Sequence, residues 1–178
     1  MDYFPVLHTP RLTLRKIQVE DIDALILYAN NRKISDQVIN IPYPYQEPNA
    51  VFRISYVVQG FKNKTRYVFA IVLKERAELI GEISLHLDED KNSAQLGYWV
   101  GEPFWNLGIG TEAVKAILSF GFEKLQLRFV HATCHVDNQA SEQVLLKNGL
   151  SEHNENGKVK RYVMTQGEYE TWTKSNGS

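Results

Sequence analysis

Three short stretches of this 178-residue sequence bring together groups that could bind or react. In "WNLGIGTEA" (105–113), Gly108 and Gly110 stand at the start of a run with helical spacing, followed by Thr111. The first turn of a helix leaves its N–H groups unpaired, and the helix dipole makes that end favourable for an anion. Glycine adds close access to the main chain, because no Cβ intervenes. The turn is therefore either a phosphate cradle or an ordinary glycine loop. In "NQASEQ" (138–143), Asn138 and Ser141 are three apart, so both side chains can face one groove, although Asn138 is also a natural N-cap. In "GEISLHL" (81–87), strand alternation puts Glu82, Ser84 and His86 on one face. Glu82 could serve there as a general base, or be held in a salt bridge; Glu102 is a further carboxylate option.

The familiar nucleotide motifs do not account for the glycines. A P-loop requires Lys-Ser or Lys-Thr after them, which is absent. A dinucleotide fingerprint belongs at the first strand of a βαβ unit, whereas three antiparallel strands are expected before this turn.

The elements that must position these groups follow from periodicity. "RLTLRKI" (11–17) alternates as a strand, and 19–31 has helical spacing with Asp and Glu in its first turn. "RKISDQV" predicts a short helix, and the proline-rich 40–49 an ordered loop before a helix over about 50–61. "RYVFAIVLK" (66–74) predicts a central strand, with antiparallel partners at 79–87 and 94–100. A helix over 108–124, a strand at 128–136, a helix at 138–149 ended by Gly149 and a strand at 158–166 complete the pattern. The expected order is β-α-α-α-β-β-β-α-β-α-β-β, a mixed sheet with helices on both sides.

Composition narrows the function. The chain is 43% hydrophobic and 23% charged with a formal charge of −1, which gives no general attraction to nucleic acid or an anionic membrane. No apolar run approaches the about 20 residues of a membrane span, and no basic, apolar leader opens the sequence, so a cytoplasmic protein is expected. The one cysteine, Cys134, excludes an internal disulfide or a cysteine-cluster metal site and reads as a buried core thiol.

Four stretches together resemble the GNAT superfamily of N-acetyltransferases, specifically the RimJ/RimL-like branch that acetylates N-terminal amines of ribosomal proteins. They are "TPRLTLRKIQVEDIDAL", "GYWVGEPFWNLGIGTEAVKAILSFGFEKL", "VHATCHVDNQASEQVLLKNGL" and the weaker "KVKRYVMTQGEYE". The resemblance implies one α+β domain over 1–178, with a mostly antiparallel sheet of about seven strands and helices on both faces. It implies acetyl-CoA as cofactor and direct attack by an amine acceptor in a ternary complex. Main chain around Trp99 and Val100 would pair with the pantetheine arm. Amides of Leu107, Gly108, Ile109, Gly110 and Thr111 would hold the pyrophosphate. Asn138 would meet the pantetheine, and Ser141 would sit beside the sulfur as a catalytic hydrogen-bond donor to the departing thiolate. Glu82 is the leading catalytic base from the residues themselves. Gln95 stands where many relatives carry a carboxylate, and an amide cannot take a proton. Trp105 and Asn106 replace other common turn residues, which a main-chain cradle tolerates.

The poorly matched 31–65 would line the acceptor pocket, with Tyr43 and Tyr45 as rim or structural plugs and Glu47 as an attractor of cations. The expected acceptor is a protein N-terminus; a polyamine or aminoglycoside, or an acyl-CoA-binding module without turnover, are the alternatives. No metal is expected, and a homodimer is left open by the resemblance.

Overall fold

The computed structural model describes residues 3–176, so the first two and last two residues of the expected 1–178 unit lie outside the described residues. Its strands are β1 (Leu7–His8), β2 (Leu12–Lys16), β3 (Arg66–Leu73), β4 (Glu78–Leu87), β5 (Ser93–Val100), β6 (Phe129–His135), β7 (Ser151–Asn156) and β8 (Val159–Thr165). Its helices are α1 (Ile22–Ala29), α2 (Arg32–Ser35), α3 (Glu47–Lys62), α4 (Ile109–Ser119), α5 (Gln139–Lys147) and α6 (Gln166–Asn176). One eight-stranded sheet runs β1-β2-β3-β4-β5-β6-β8-β7. Every neighbouring pair is antiparallel except β5 and β6. The chain is α+β, as expected, and has β1 as an edge strand beyond the expected set.

The hydrophobic pattern decides which helix covers which face. Val68, Ala70, Val72, Leu79 and Trp99 project to one side, where they pack with Leu25 and Ala29 of α1 and Ala50 and Val57 of α3. Phe69, Ile71, Ile83, Leu85 and Leu96 project to the other, against Ala113, Val114, Ile117 and Leu118 of α4 and Leu145 of α5. These alternating sets are what a strand period of two demands of a sheet covered on both faces.

Two elements depart from the sequence expectation for local reasons, besides α3, which starts at Glu47 inside the expected loop. The helix expected to run unbroken to Lys124 is α-helical to Ser119 and continues as a π turn over Phe120–Lys124, which keeps Phe120 and Phe122 buried. The terminal α6 is an additional element: "QGEYETWTKSN" contains few strong helix formers. It is held instead by its ends and one contact. Glu168 Oε2 accepts from the Thr165 N–H and hydroxyl at 2.7 Å each. Tyr169 stacks on Phe122 and donates to Glu123 at 2.6 Å.

The feature that matters for function is the β5–β6 pair. It is parallel, and its register covers only Ser93–Leu96 against Phe129–Ala132. Beyond Leu96, β5 remains bonded to β4 through Val100, while β6 continues to His135 against β8. The two strands therefore part company, and the sheet has a gap through it.

Candidate active site

The gap fixes which main-chain groups of β5 are free. Ser93 O accepts from Asp88 N and Gly101 N donates to Ile80 O, so odd-numbered residues of β5 face β4. Asn92 O accepts from Arg128 N, so even-numbered residues face β6. By alternation, Tyr98 and Val100 turn their peptide groups into the gap, whereas Trp99 turns its peptide groups toward β4. Of the two residues expected to pair with a pantetheine arm, Val100 thus presents its main chain to the open edge, and Tyr98 joins it. Trp99 contributes its side chain to the opposite face. The Val100 carbonyl also accepts from the Trp105 indole at 2.6 Å, which folds the turn back on the strand end.

That turn leads into α4 through Gly108, whose φ of 75° lies in the left-handed region where glycine is unstrained. Among the described residues, the N–H groups of Leu107, Gly108, Ile109, Gly110 and Thr111 have no acceptor, and no side chain caps the helix. Gly110 has a packing reason of its own: a Cβ there would lie 3.1 Å from the Tyr98 ring and 3.6 Å from Val144. The glycine thereby lets the leading end of α4 press against β5 and α5. A row of unpaired N–H donors at a helix N-terminus fits the diphosphate of a CoA ester, and the open edge at Tyr98 and the Val100 N–H fits its amide-bearing arm.

The turn is tied down by the first matched stretch of the sequence. Arg11 donates to Leu107 O at 2.7 Å and to Glu112 at 2.6 Å, and Thr9 donates to the same carboxylate at 2.6 Å. Burial alone would raise the Glu112 pKa, but these bonds hold its carboxyl below the ordinary range.

α5 brings the second set of groups. Asn138 caps it by accepting from Ser141 N at 3.0 Å, which confirms the capping part of its reading. Ser141 Oγ lies 3.1 Å from the Tyr98 hydroxyl. Burial pushes the Tyr98 phenol up to about 12, so it stays protonated at neutral pH. Both hydroxyls, Asn138 and Cys134 line one cleft of about 330 Å³. Cys134 is buried as expected, and burial pushes its thiol up.

The same cleft passes through the gap to the other face, where Arg53, Tyr56, Glu82, Ser84, His86 and Gln95 form its wall and Gln37–Asn40 its rim. Of the segment 31–65, Gln37–Asn40, Arg53 and Tyr56 line this cleft. Tyr45 is buried and acts as a plug, and Tyr43 is exposed away from the lining. Glu47 opens α3 and lies outside the lining too.

Glu82 is 2% exposed, and its hydrogen bonds converge on Oε2, with Oε1 reached by Arg53 Nε alone at 3.3 Å. It accepts from Arg53 Nη2 at 2.6 Å and Nε at 3.0 Å, and from the Trp99 indole at 3.2 Å. This is the salt-bridge arrangement of the two open to it. Glu102 sits outside the cleft, bonded to Asn31 at 2.6 Å and paired with Lys33. His86 is pushed down to about 4, by burial first and then by the charges of Arg53 and Arg66, with Glu82 opposing.

Tyr98 and Arg11 are the functional candidates that sequence reasoning passed over. Both stood inside matched motifs, but their partners are 43 and about 100 positions away, and no local period carries such a pairing.

Known proteins resemble the chain in sequence and in fold. A family model described as acetyltransferase (GNAT) domain matches residues 11–151. The chain is 36% identical over 127 residues to the ribosomal-protein-serine acetyltransferase of Escherichia coli, covering 70% of this chain and 69% of that one. It is 30% identical to the N-acetyltransferase p20 of Bacillus licheniformis over 90% of this chain and 89% of its relative. The solved structure of Mycobacterium smegmatis RimJ in complex with CoA-disulfide superposes with a TM-score of 0.83 at 19% identity, over 98% of this chain and 96% of that one. The chain belongs to the GNAT acetyltransferase family. It is an N-acetyltransferase that uses acetyl-CoA and acts on an amine.

Proposed function

We propose that the acceptor is the α-amine at a protein N-terminus, of the kind carried by ribosomal proteins, and that the chain 1–178 works as one catalytic unit. The observation that carries this reading is the state of the cleft's carboxylate. Glu82 is the one carboxylate among the lining residues, and it is held as the anion of an Arg53 ion pair, with the Trp99 indole as a further donor. A site without a free carboxylate base suits an amine that is already partly neutral. An α-amine, with pKa near 7.7–8.0, meets that condition, whereas a lysine or polyamine amine near 10.4 does not. The name of the Escherichia coli relative supports the same acceptor class.

Acetyl-CoA, when bound, supplies the acetyl group as a thioester. On this reading the N–H row of Leu107, Gly108, Ile109, Gly110 and Thr111 holds its diphosphate, and Tyr98, Val100 and Asn138 align its arm along the gap. Ser141 and Tyr98, whose hydroxyls line the cleft together, would donate hydrogen bonds that stabilise a thiolate leaving group more than the neutral thioester. Glu82 serves the site by fixing Arg53 and the Trp99 indole in the acceptor wall.

The test is transfer of labelled acetyl groups to four acceptors: lysine-free peptides with free N-termini, N-terminally blocked lysine peptides, spermidine and an aminoglycoside. Transfer is expected to the first set, with kcat/KM rising through pH 7–8 as the α-amine loses its proton. Transfer confined to the lysine peptides or the small amines would refute the reading.

A further inference from the structure

Two glycines lie inside the strands of the sheet, Gly81 on β4 and Gly97 on β5, and packing explains the first alone. At Gly81 a Cβ would lie 2.3 Å from the Trp99 carbonyl oxygen and 3.0 Å from Val100 Cα, so the approach of β5 excludes a side chain. At Gly97 a Cβ would meet Ser84 Oγ at 3.5 Å, an ordinary contact, and nothing else within 4 Å beyond its chain neighbours. Its φ is not positive, so the parting of β5 from β6 after Leu96 does not demand a glycine there. The β4–β5 register runs unbroken from Gly81 and Val100 to Leu87 and Ala94, so Gly97 marks no bulge. Glycine weakens a strand, and without a bulge or a crowding neighbour the remaining reason for it is a ligand that comes close.

The position of Gly97 says which ligand. It lines the cleft, and by alternation it faces the acceptor side together with Gln95 and Trp99. Its cross-strand partner is Ser84, and the pairs on either side are Glu82 with Trp99 and His86 with Gln95. Ser84 and Gly97 thus form a low floor between larger side chains, all of them in the lining. The Ser84 hydroxyl donates to Gly97 O at 3.2 Å, which leaves its lone pairs for an N–H donor. Gly97 also adjoins Tyr98, whose peptide groups turn into the gap.

We infer that the floor at Gly97 receives the side chain of the acceptor's terminal residue, which deepens the α-amine reading and rests on it. The carbon that bears an α-amine has three groups to place. Its nitrogen must point to the gap, where the thioester is attacked. Its carbonyl must lead the chain outward, past the open rim at Gln37–Asn40. The side chain is left facing the sheet, and the bare Cα of Gly97 gives it room. Lysine and polyamine amines sit on unbranched CH2 groups and need no such floor.

The test compares two short lysine-free peptides that differ only in starting with alanine or with glycine. Gly97→Ala is expected to lower kcat/KM for the alanine peptide about tenfold and for the glycine peptide much less, because the missing methyl makes room for the new one. Gly97→Val should lower both, by about a hundredfold for the alanine peptide. The Kd for CoA should stay unchanged, and the melting temperature of Gly97→Ala should be equal or higher, since the strand loses a glycine without a clash. Equal losses for the two peptides in Gly97→Ala, or no loss, overturn the inference, while transfer to both by the wild type keeps the α-amine reading. A weaker Kd for CoA or a lower melting temperature in Gly97→Ala overturns it as well, and assigns the glycine to the donor or to the fold. If the wild type acetylates neither peptide, the α-amine reading fails and the inference goes with it.

Discussion

The hydroxyl pair of Ser141 and Tyr98 is where a single atom should count most. Ser141 alone is a poor proton source, but its Oγ is 3.1 Å from a phenol that burial keeps protonated. Ser141→Ala and Tyr98→Phe should each lower kcat by about tenfold or more with little change in KM for acetyl-CoA. Because the two groups act as one, the double variant should lose little beyond either single variant. Steady-state kinetics of the three variants checks this; effects that multiply would mean that the hydroxyls act independently. At this scale Asn138, Ser141 and the glycines were legible, since capping and turn chemistry are local properties of a few residues. Glu82 was legible as a strand residue that a salt bridge could hold, but Arg53 as its partner was not. Helix α3 reaches that strand only through the packing of Ala50 and Val57.

Among the elements, the leading end of α4 depends on a segment far from it in sequence. Arg11 and Thr9 fasten Leu107 and Glu112, so the matched "TPRL" and "GIGTEA" stretches are two parts of one structure. Arg11→Met should weaken CoA binding several-fold, because the N–H row is no longer held in register. Its effect on stability should be small, under about 1 kcal/mol, since Arg11 is half exposed. Calorimetric titration with CoA and a melting curve measure both; an unchanged Kd would show that the turn needs no fastening. Strand β3 was readable as a continuous apolar run, and β4, β5, α1, α3 and α4 because each repeats an apolar spacing over two or more turns or pleats. The π turn after Ser119 and α6 were not. They depend on where Phe120, Phe122 and Tyr169 find space, which period and propensity do not encode.

Across the whole molecule, the surroundings of His86 make stability depend on pH. His86 is pushed down to about 4, below its ordinary value near 6.5. The native state therefore binds fewer protons than the unfolded chain in that interval. The contribution of a neutral His86 is complete above pH 6.5 and is lost as the pH falls toward 4. Two and a half pKa units correspond to about 3 kcal/mol at most. Urea unfolding of the wild type should thus shift to lower midpoints between pH 7 and 4.5, and His86→Gln should shift less; equal slopes would refute the buried, neutral ring. The half-paired β5–β6 strands carry a different consequence. On the proposed reading, residues that greet the thioester belong to one layer of the protein, and residues that greet its recipient to the other. Descendants of such a gene can exchange the recipient by altering one layer, and the grip on the shared donor is inherited unchanged.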